Sequence, residues 1–316
     1  MDGSGDDRAV GAGGDATRVS VIVVFYGGEG LRACLVSALA QPGVAEVILV
    51  NNRDAPPWPA ELDTLPQAEP RLSLVHGQGN VGFGAGCNLG ATRASGDVLL
   101  LLNPDCRLDP GTVPRLLSLA AMQPGDGWML GPRLLNEDGT EQAGGRRNAG
   151  TPAEWLAEAL RLDRLGPGRW RRVNRHREPL PAAPAVEMPA ISGAFMLLPR
   201  AFFRRLGGFD DGYFLHFEDL ALCRAVWRAG GRVLFAPGVA VTHLKSRSPV
   251  SSLFVTGHKI RGFRRYLWTE FGQTTAAWRL ASVWAVLSAG LLAKTLVGMV
   301  LTTARGRRRG STPGAR

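Results

Sequence analysis

Residues 18–26 read Arg-Val-Ser-Val-Ile-Val-Val-Phe-Tyr, an apolar, largely β-branched run with almost no polar alternation. A strand with one wet face alternates polar and apolar residues, so an unbroken run marks a strand buried on both faces of a parallel sheet. Working outward, a helix is expected from about Glu29 to Ala40, stopped by Gln41-Pro42-Gly43, and Glu46 to Asn51 forms a second apolar strand. A Pro-rich loop through Pro56, Pro57 and Pro59 leads to a third strand, Arg71 to His76. A Gly-rich turn then opens a helix from about Phe83 to Ala94, and Asp97 to Asn103 (DVLLLLN) supplies a fourth strand. This alternation defines an α/β domain with a mostly parallel sheet flanked by helices. Such sheets bind ligands beyond the C-terminal strand ends. Asn51, His76 and Asn103-Pro104-Asp105 all fall at that edge.

The second half is less regular. Trp128 to Leu135 reads as a strand and Pro152 to Leu165 as a helix, while Gly166 to Pro184 has no periodicity and is expected to be a mobile loop. Val186 to Leu198 resumes regular structure, with Ser192-Gly193-Ala194 marking close approach of a ligand or of another backbone. Pro199 to Leu206 is a short helix with Pro at its start. Leu220 to Ala229 is a helix ended by Gly230-Gly231. Glu218-Asp219 lies at the mouth of that helix, where the dipole favours an ionised carboxylate. A poised carboxylate can take a proton from an attacking hydroxyl, although an N-capping acid on a surface helix has the same sequence.

The chain has 316 residues, enough for one large domain or a domain with an appendage. Its formal net charge of +10 calls for an anionic surface or polyanion. No helix-turn-helix, finger or RNA-binding signature accompanies that charge, which argues against nucleic acid as partner. The basic residues flank apolar sequence, which points to an anionic membrane. Lys259, Arg261, Arg264 and Arg265 interleave with Phe254, Phe263, Tyr266, Trp268 and Phe271, as in a helix lying at a membrane interface. Leu280 to Ala304 approaches the length of a bilayer span but carries Lys294. An interfacial or dimer-packing helical pair is therefore the favoured reading over a true span or a soluble core helix. Residues 305–316 form a basic tail. Residues 1–17 are Gly-, Asp- and Ala-rich, expected to be flexible, and lack the basic start and apolar run of a signal peptide. Cys34, Cys87, Cys106 and Cys223 show no paired or metal-like spacing and fit a reduced cytoplasmic protein.

Two motifs compete for a ligand. Gly77, Gly79 and Gly82 spell G-x-G-x-x-G between a strand and a helix, imitating a dinucleotide-binding fingerprint. Two strands precede it, however, and the acid that would hold the ribose, Asp105, sits in a Pro-containing motif. A strand-end acid such as Asp105 can instead hold a hard divalent cation that neutralises a diphosphate.

Taken together, Val21–Tyr26, Val50-Asn51-Asn52, Gly79–Asn88, Leu102–Asp105, Ser192–Ala194, Gly207–Asp210, Glu218-Asp219 and Pro237–His243 resemble the family 2 glycosyltransferases with a GT-A fold. Within them the likeness is to the rhamnosyltransferase-like group of bacterial cell-wall and polysaccharide assembly, and it runs from roughly Arg18 to Ser248. The resemblance implies a Rossmann-like sheet, with residues 18–106 binding a nucleotide sugar (dTDP- or UDP-linked) and 107–248 binding the acceptor. Residues 249–304 would form the membrane-interfacial segment. It implies that Phe25, Tyr26, Asn51 and Asn80 line the base and ribose pocket, with Gly82, Asn88 and Asn103 also on the nucleotide side. Asp105 and His243 would hold Mg2+ or Mn2+, and Asp219 would be the general base of a single, inverting displacement. Ser192, Gly193, Ala194 and Glu218 fall on the acceptor side. By the same resemblance the favoured donor is dTDP-rhamnose, ahead of galactosyl, mannosyl or glucosyl donors. The acceptor would be a polyprenyl-linked or polysaccharide glycan at the cytoplasmic face of the cell membrane, with a homo-oligomer open.

Three positions depart from the family pattern: Asn51 stands where Asp is usual, Asn103 replaces the first acid of the metal motif, and Ala221 removes a second acid after Glu-Asp. These keep a catalytically silent membrane-bound scaffold as an alternative. A nucleotidyltransferase would carry a basic residue in its Gly-rich loop, and Gly27-Gly28-Glu29-Gly30 has none.

Overall fold

In a computed structural model of the chain, the described residues are 17–53, 67, 69–160, 162, 172–245 and 250–309, with side chains described through Leu301. The Pro-rich loop, the N-terminal tail before Thr17, the first part of the Gly166–Pro184 loop and residues 310–316 lie outside them.

The opening run becomes β1 (Val19–Phe25), buried at all seven positions. It is followed by α1 (Leu31–Leu39), β2 (Val44–Asn51), β3 (Leu72–Val75), α2 (Phe83–Arg93) and β4 (Val98–Leu102). These four strands lie side by side in the order β3-β2-β1-β4, all parallel. Their side chains build the main core, where Val21, Val23, Leu49, Leu100 and Leu102 are each at most 1% exposed. The chain continues through β5 (Cys106–Leu108), α3 (Thr112–Ala121), β6 (Trp128–Leu135), β7 (Arg146–Arg147) and α4 (Pro152–Ala159). Next come β8 (Val186–Glu187), β9 (Ala190–Ile191), β10 (Phe195–Pro199), α5 (Arg200–Arg205), α6 (Glu218–Arg228) and β11 (Arg232–His243). Antiparallel β10 joins β4 to β6, and β11 runs parallel to β6 and antiparallel to β5 at the sheet edge.

Four elements go beyond the sequence reading: β5, α3, the two-residue β7 and the long β11. Pro237 has no N–H for a ladder, which hides β11 in the sequence. The structure solves this with a register shift between Ala236 and Ala240 that lets Pro237-Gly238-Val239 bulge out. The strand then resumes and places His243 opposite Cys106. The expected single stretch over Val186–Leu198 is instead three short strands, broken at Pro189 and again at Ser192-Gly193. Residues 172–184 are not a free loop. Arg146, fully buried, bonds Glu141 through Nε at 2.7 Å and holds the carbonyls of Glu178 and Pro179.

Two compact units emerge. The first comprises Met1–Ala149, Asn174–Phe214 and Glu218–Pro249; the second comprises Gly150–Val173, Leu215–Phe217 and Val250–Arg316. In the second unit, α4 opens with a reciprocal cap between Thr151 and Glu154 and with Pro152 in its first turn. Helices α7 (Ser252–Phe271) and α8 (Ala277–Arg309) complete it. Phe263, Leu267, Leu280 and Val283 form its small core. Phe217 packs its ring 5.3 Å from Phe263, 5.8 Å from Trp155 and 5.8 Å from Tyr266. His216 and Phe217 both hold left-handed backbone, at φ 68 and 71. That conformation is costly for non-glycine residues and persists only where packing over-determines it.

Candidate active site

The strand-end turn comes first. β4 stops at Leu102, and Asn103-Pro104-Asp105 turns the chain so that the Cys106 N–H donates to the Asn103 carbonyl at 3.1 Å. Asp105 is 6% exposed. Its Oδ1 lies 3.1 Å from His243 Nε2, and Asn103 Nδ2 lies 3.4 Å from the same nitrogen. Sequence positions 103, 105 and 243 are thus brought into one cluster. A carboxylate and an imidazole nitrogen at that separation are a donor set suited to Mg2+ or Mn2+. Cys106 falls in the same group, but burial pushes its thiol well above the usual range, and its Sγ donates to the Ala194 carbonyl at 3.4 Å. It is a structural thiol. Gln142, which no sequence motif singles out, accepts from His243 Nδ1 at 2.6 Å.

The second cluster is built on the first turn of α6. Asp219 Oδ2 accepts from Arg147 Nη2 and from the Gly193 N–H at 3.1 Å, and Oδ1 accepts from the Leu220 N–H at 2.8 Å. Arg147 in turn donates to the Ile191 carbonyl at 2.8 Å. Burial raises the Asp219 carboxyl and the Arg147 guanidinium beside it lowers it, with the backbone donors adding to the lowering, and the net shift is downward. Glu218 next to it goes the other way: burial, then the Asp219 charge, pushes it up to about 8. The pair therefore splits into an ionised Asp219 and a neutral Glu218. Gly193 is glycine for a reason, since a Cβ there would stand 3.0 Å from Asp219 Cβ. Close approach of the Asp219 side chain accounts for the glycine. The Asn103 N–H donates to the Ala194 carbonyl at 2.9 Å, which ties the two clusters together.

On the nucleotide side the picture is mixed. Asn51 is fully buried at the end of β2; its Oδ1 accepts from the Arg53 N–H at 3.0 Å and its Nδ2 has no hydrogen-bond partner among the described residues. The amide therefore offers a donor at this strand end. Asn80 Oδ1 caps the Gly82 N–H at 3.2 Å. Gly82 itself has φ +88, and a side chain there would collide with the Phe214 carbonyl, which accepts from the Phe83 N–H. Asn88 bonds Phe209 O, Phe209 N and Asp211 Oδ1 at 2.8–2.9 Å, so it clamps the Gly207–Asp211 turn onto α2. Phe25 is 2% exposed within the main core, while Tyr26 just beyond β1 is half-buried. Ser192 Oγ accepts from the Ala194 N–H at 3.2 Å. A separate cavity of about 650 Å³, lined by Met188, Arg224, Trp227 and Arg228 among others, contains none of these residues.

This mixed sheet resembles solved GT-A enzymes. It aligns with GalNAc-T7 in complex with UDP, GalNAc and Mn2+ at TM-score 0.55 and 19% identity, covering 83% of this chain and 52% of that one, about half its length. It aligns with the mannosyltransferase PcManGT of Pyrobaculum calidifontis, in complex with GDP-Man and Mn2+, at TM-score 0.53 and 15% identity, covering 94% and 84%. At the level of sequence, the Mycobacterium tuberculosis N-acetylglucosaminyl-diphospho-decaprenol L-rhamnosyltransferase is 27% identical over 248 residues, 72% of this chain and 76% of that protein. The model of glycosyl transferase family 2 matches residues 20–206, and the chain belongs to that family. It is a glycosyltransferase of the rhamnosyltransferase-like kind.

Proposed function

We propose that this protein transfers a sugar, with inversion, from a nucleoside-diphosphate donor to a hydroxyl of a lipid-linked or envelope glycan, and that the donor is dTDP-L-rhamnose. The observation carrying the reading is the pinning of Asp219. Arg147, the Gly193 N–H and the Leu220 N–H fix both carboxylate oxygens, yet Oδ1 receives a single bond and keeps a lone pair for an acceptor proton. As the acceptor oxygen bonds the anomeric carbon, its proton passes to Asp219 and the carbon–oxygen bond to the diphosphate breaks. A low-lying carboxylate is a weak base, so proton transfer belongs late in the displacement, when the hydroxyl has become acidic. Asp105 and His243 would hold a divalent cation, which supplies positive charge to the departing diphosphate when bound. Neutral Glu218 would offer a hydrogen bond to the acceptor without competing for its proton.

The choice of rhamnose and of a lipid-linked acceptor rests on the name of the mycobacterial relative. The second unit would attach the protein to the anionic cytoplasmic face of the membrane. The test is nucleoside diphosphate release by purified protein from a panel of dTDP-rhamnose, UDP-galactose, UDP-glucose and GDP-mannose, with an N-acetylglucosaminyl-diphospho-lipid present. Acceptor-dependent release from dTDP-rhamnose alone is the expected result. Release from another sugar nucleotide alone would overturn the donor, and no release from any would overturn the reading.

A further inference from the structure

His243 can face a cation only in one tautomer, and the structure contains the part that selects it. We infer that Gln142 is a positioning residue: its side-chain oxygen accepts from Nδ1–H of His243 and so turns Nε2 toward the Asp105 carboxylate, the side on which a divalent cation would be held. The inference rests on Asp105 and His243 being the cation site of the proposed reaction.

Gln142 is 2% exposed and all of its side-chain polar atoms are engaged. Its Nε2 donates to the His243 carbonyl at 3.1 Å and to Asn136 Oδ1 at 3.1 Å. A carbonyl can only accept, so the amide nitrogen must face it. Flipping the amide would set Gln142 Oε1 against two acceptors. The Asn136 end is fixed in the same way. Asn136 Nδ2 donates to Thr140 Oγ1 at 2.9 Å, and that hydroxyl donates to Asp138 Oδ1 at 2.6 Å. The Thr140 hydroxyl and N–H hold the Asp138 carboxyl below its usual range, so it is an acceptor only. Each link therefore has one polarity. Asp138 accepts, Thr140 donates to it and accepts from Asn136, and Asn136 Oδ1 faces the Gln142 nitrogen.

Gln142 Oε1 is left facing His243 Nδ1 at 2.6 Å, which therefore carries the proton. Asn103 Nδ2, 3.4 Å from Nε2, can then donate to that lone pair. The hairpin supporting this chain is itself stiff, with Asn136 N–H to Thr140 O at 2.9 Å and Gly139 N–H to Asn136 O at 3.0 Å. Partners of this kind orient a ligating imidazole, and losing one typically costs about 10–100-fold in metal affinity.

The experiment uses the full-length protein, labelled with 15N at histidine, with the His243 signal assigned by its loss in His243→Asn. Long-range 1H–15N spectra of the metal-free protein report the tautomer, and Mn2+ titration by calorimetry reports affinity. The wild type should show the Nδ1–H form and bind Mn2+. Gln142→Leu should lose that fixed tautomer and bind Mn2+ about 10–100-fold more weakly. Gln142→Met, which keeps the side-chain length but offers Nδ1–H no oxygen, should lose the fixed tautomer in the same way and decides the matter if the leucine variant fails to fold. A wild-type signature with Nδ1 unprotonated would overturn the inference. So would a Gln142→Leu protein with unchanged tautomer and Mn2+ affinity within about twofold. A wild type that binds no Mn2+ would overturn the cation reading itself, separately from any assay of sugar transfer.

Discussion

Two acids adjacent in sequence, Glu218 and Asp219, end in opposite protonation states because of what each one touches. Asp219 meets a guanidinium and two backbone donors, whereas Glu218 is 7% exposed and its Oε2 has no hydrogen-bond partner among the described residues. The consequence can be measured as stability against pH. The Glu218 carboxyl, ordinarily near 4.5, is raised to about 8 in the folded protein. Between those values the folded state keeps a proton that the unfolded chain has lost, so stability falls as pH rises across the window and is flat outside it. Glu218→Gln should remove that slope, read as Tm from pH 5 to 8.5. A slope equal to that of the wild type would place the titrating group elsewhere. Arg146 makes a second residue-scale case. It is wholly buried and bound to Glu141, so Arg146→Met should destabilise by about 3–5 kcal/mol by leaving Glu141 without its partner. Denaturant unfolding measures this, and a loss below about 1 kcal/mol would contradict the assignment.

At the scale of elements, the site depends on where strands stop. β1, β2 and β4 were legible because a buried parallel strand is apolar along nearly its whole length, and their ends deliver Tyr26, Asn51 and Asn103–Asp105 to one edge. The turn between β9 and β10 carries Gly193 beneath the Asp219 side chain. Gly193→Ala should push the carboxylate by a few tenths of an ångström, lowering kcat by about tenfold or more while KM for the donor and Tm change little. Equal losses in Tm and kcat would make the glycine a folding requirement instead. What the sequence could not show were Arg147 and Gln142. Each lies in an irregular stretch between β6 and β9 with no periodicity, and each gains its role from a partner 72 or 101 residues away. Nor could the sequence reveal β11, because a proline inside a strand is tolerated only where a bulge releases it, and that depends on the partner strand. Asn88, set on the nucleotide side by the family resemblance, has a structural task that no motif shows: its amide fastens the Gly207–Asp211 turn.

At the scale of the whole molecule, the second unit carries a helix whose stretch Ala277–Leu301 has mean hydropathy 1.8 and only 6% burial within the strongest window. Twenty-five residues of helix reach about 37 Å, beyond the roughly 30 Å of a bilayer's hydrocarbon core. By length and composition the helix can cross a membrane, although Lys294 lies within it. Its Thr295 hydroxyl bonds Thr256 at 2.8 Å and Trp284 Nε1 donates to the Ile260 carbonyl at 3.2 Å, so one side is taken by α7. An α7–α8 pair lying in the interface should wash off membranes with alkaline carbonate, and off anionic vesicles with salt alone if charge dominates. Retention after carbonate would establish a span and displace the interfacial reading.

The central claim is that Asp219 is the base of sugar transfer, and the most direct measurement is turnover by Asp219→Asn beside its donor binding. Asparagine keeps the shape and cannot accept the proton. The account predicts a fall in kcat of about 10²–10⁴-fold with the donor dissociation constant within about threefold of wild type. Turnover within twofold of wild type, measured as acceptor-dependent release of the nucleoside diphosphate, would contradict it.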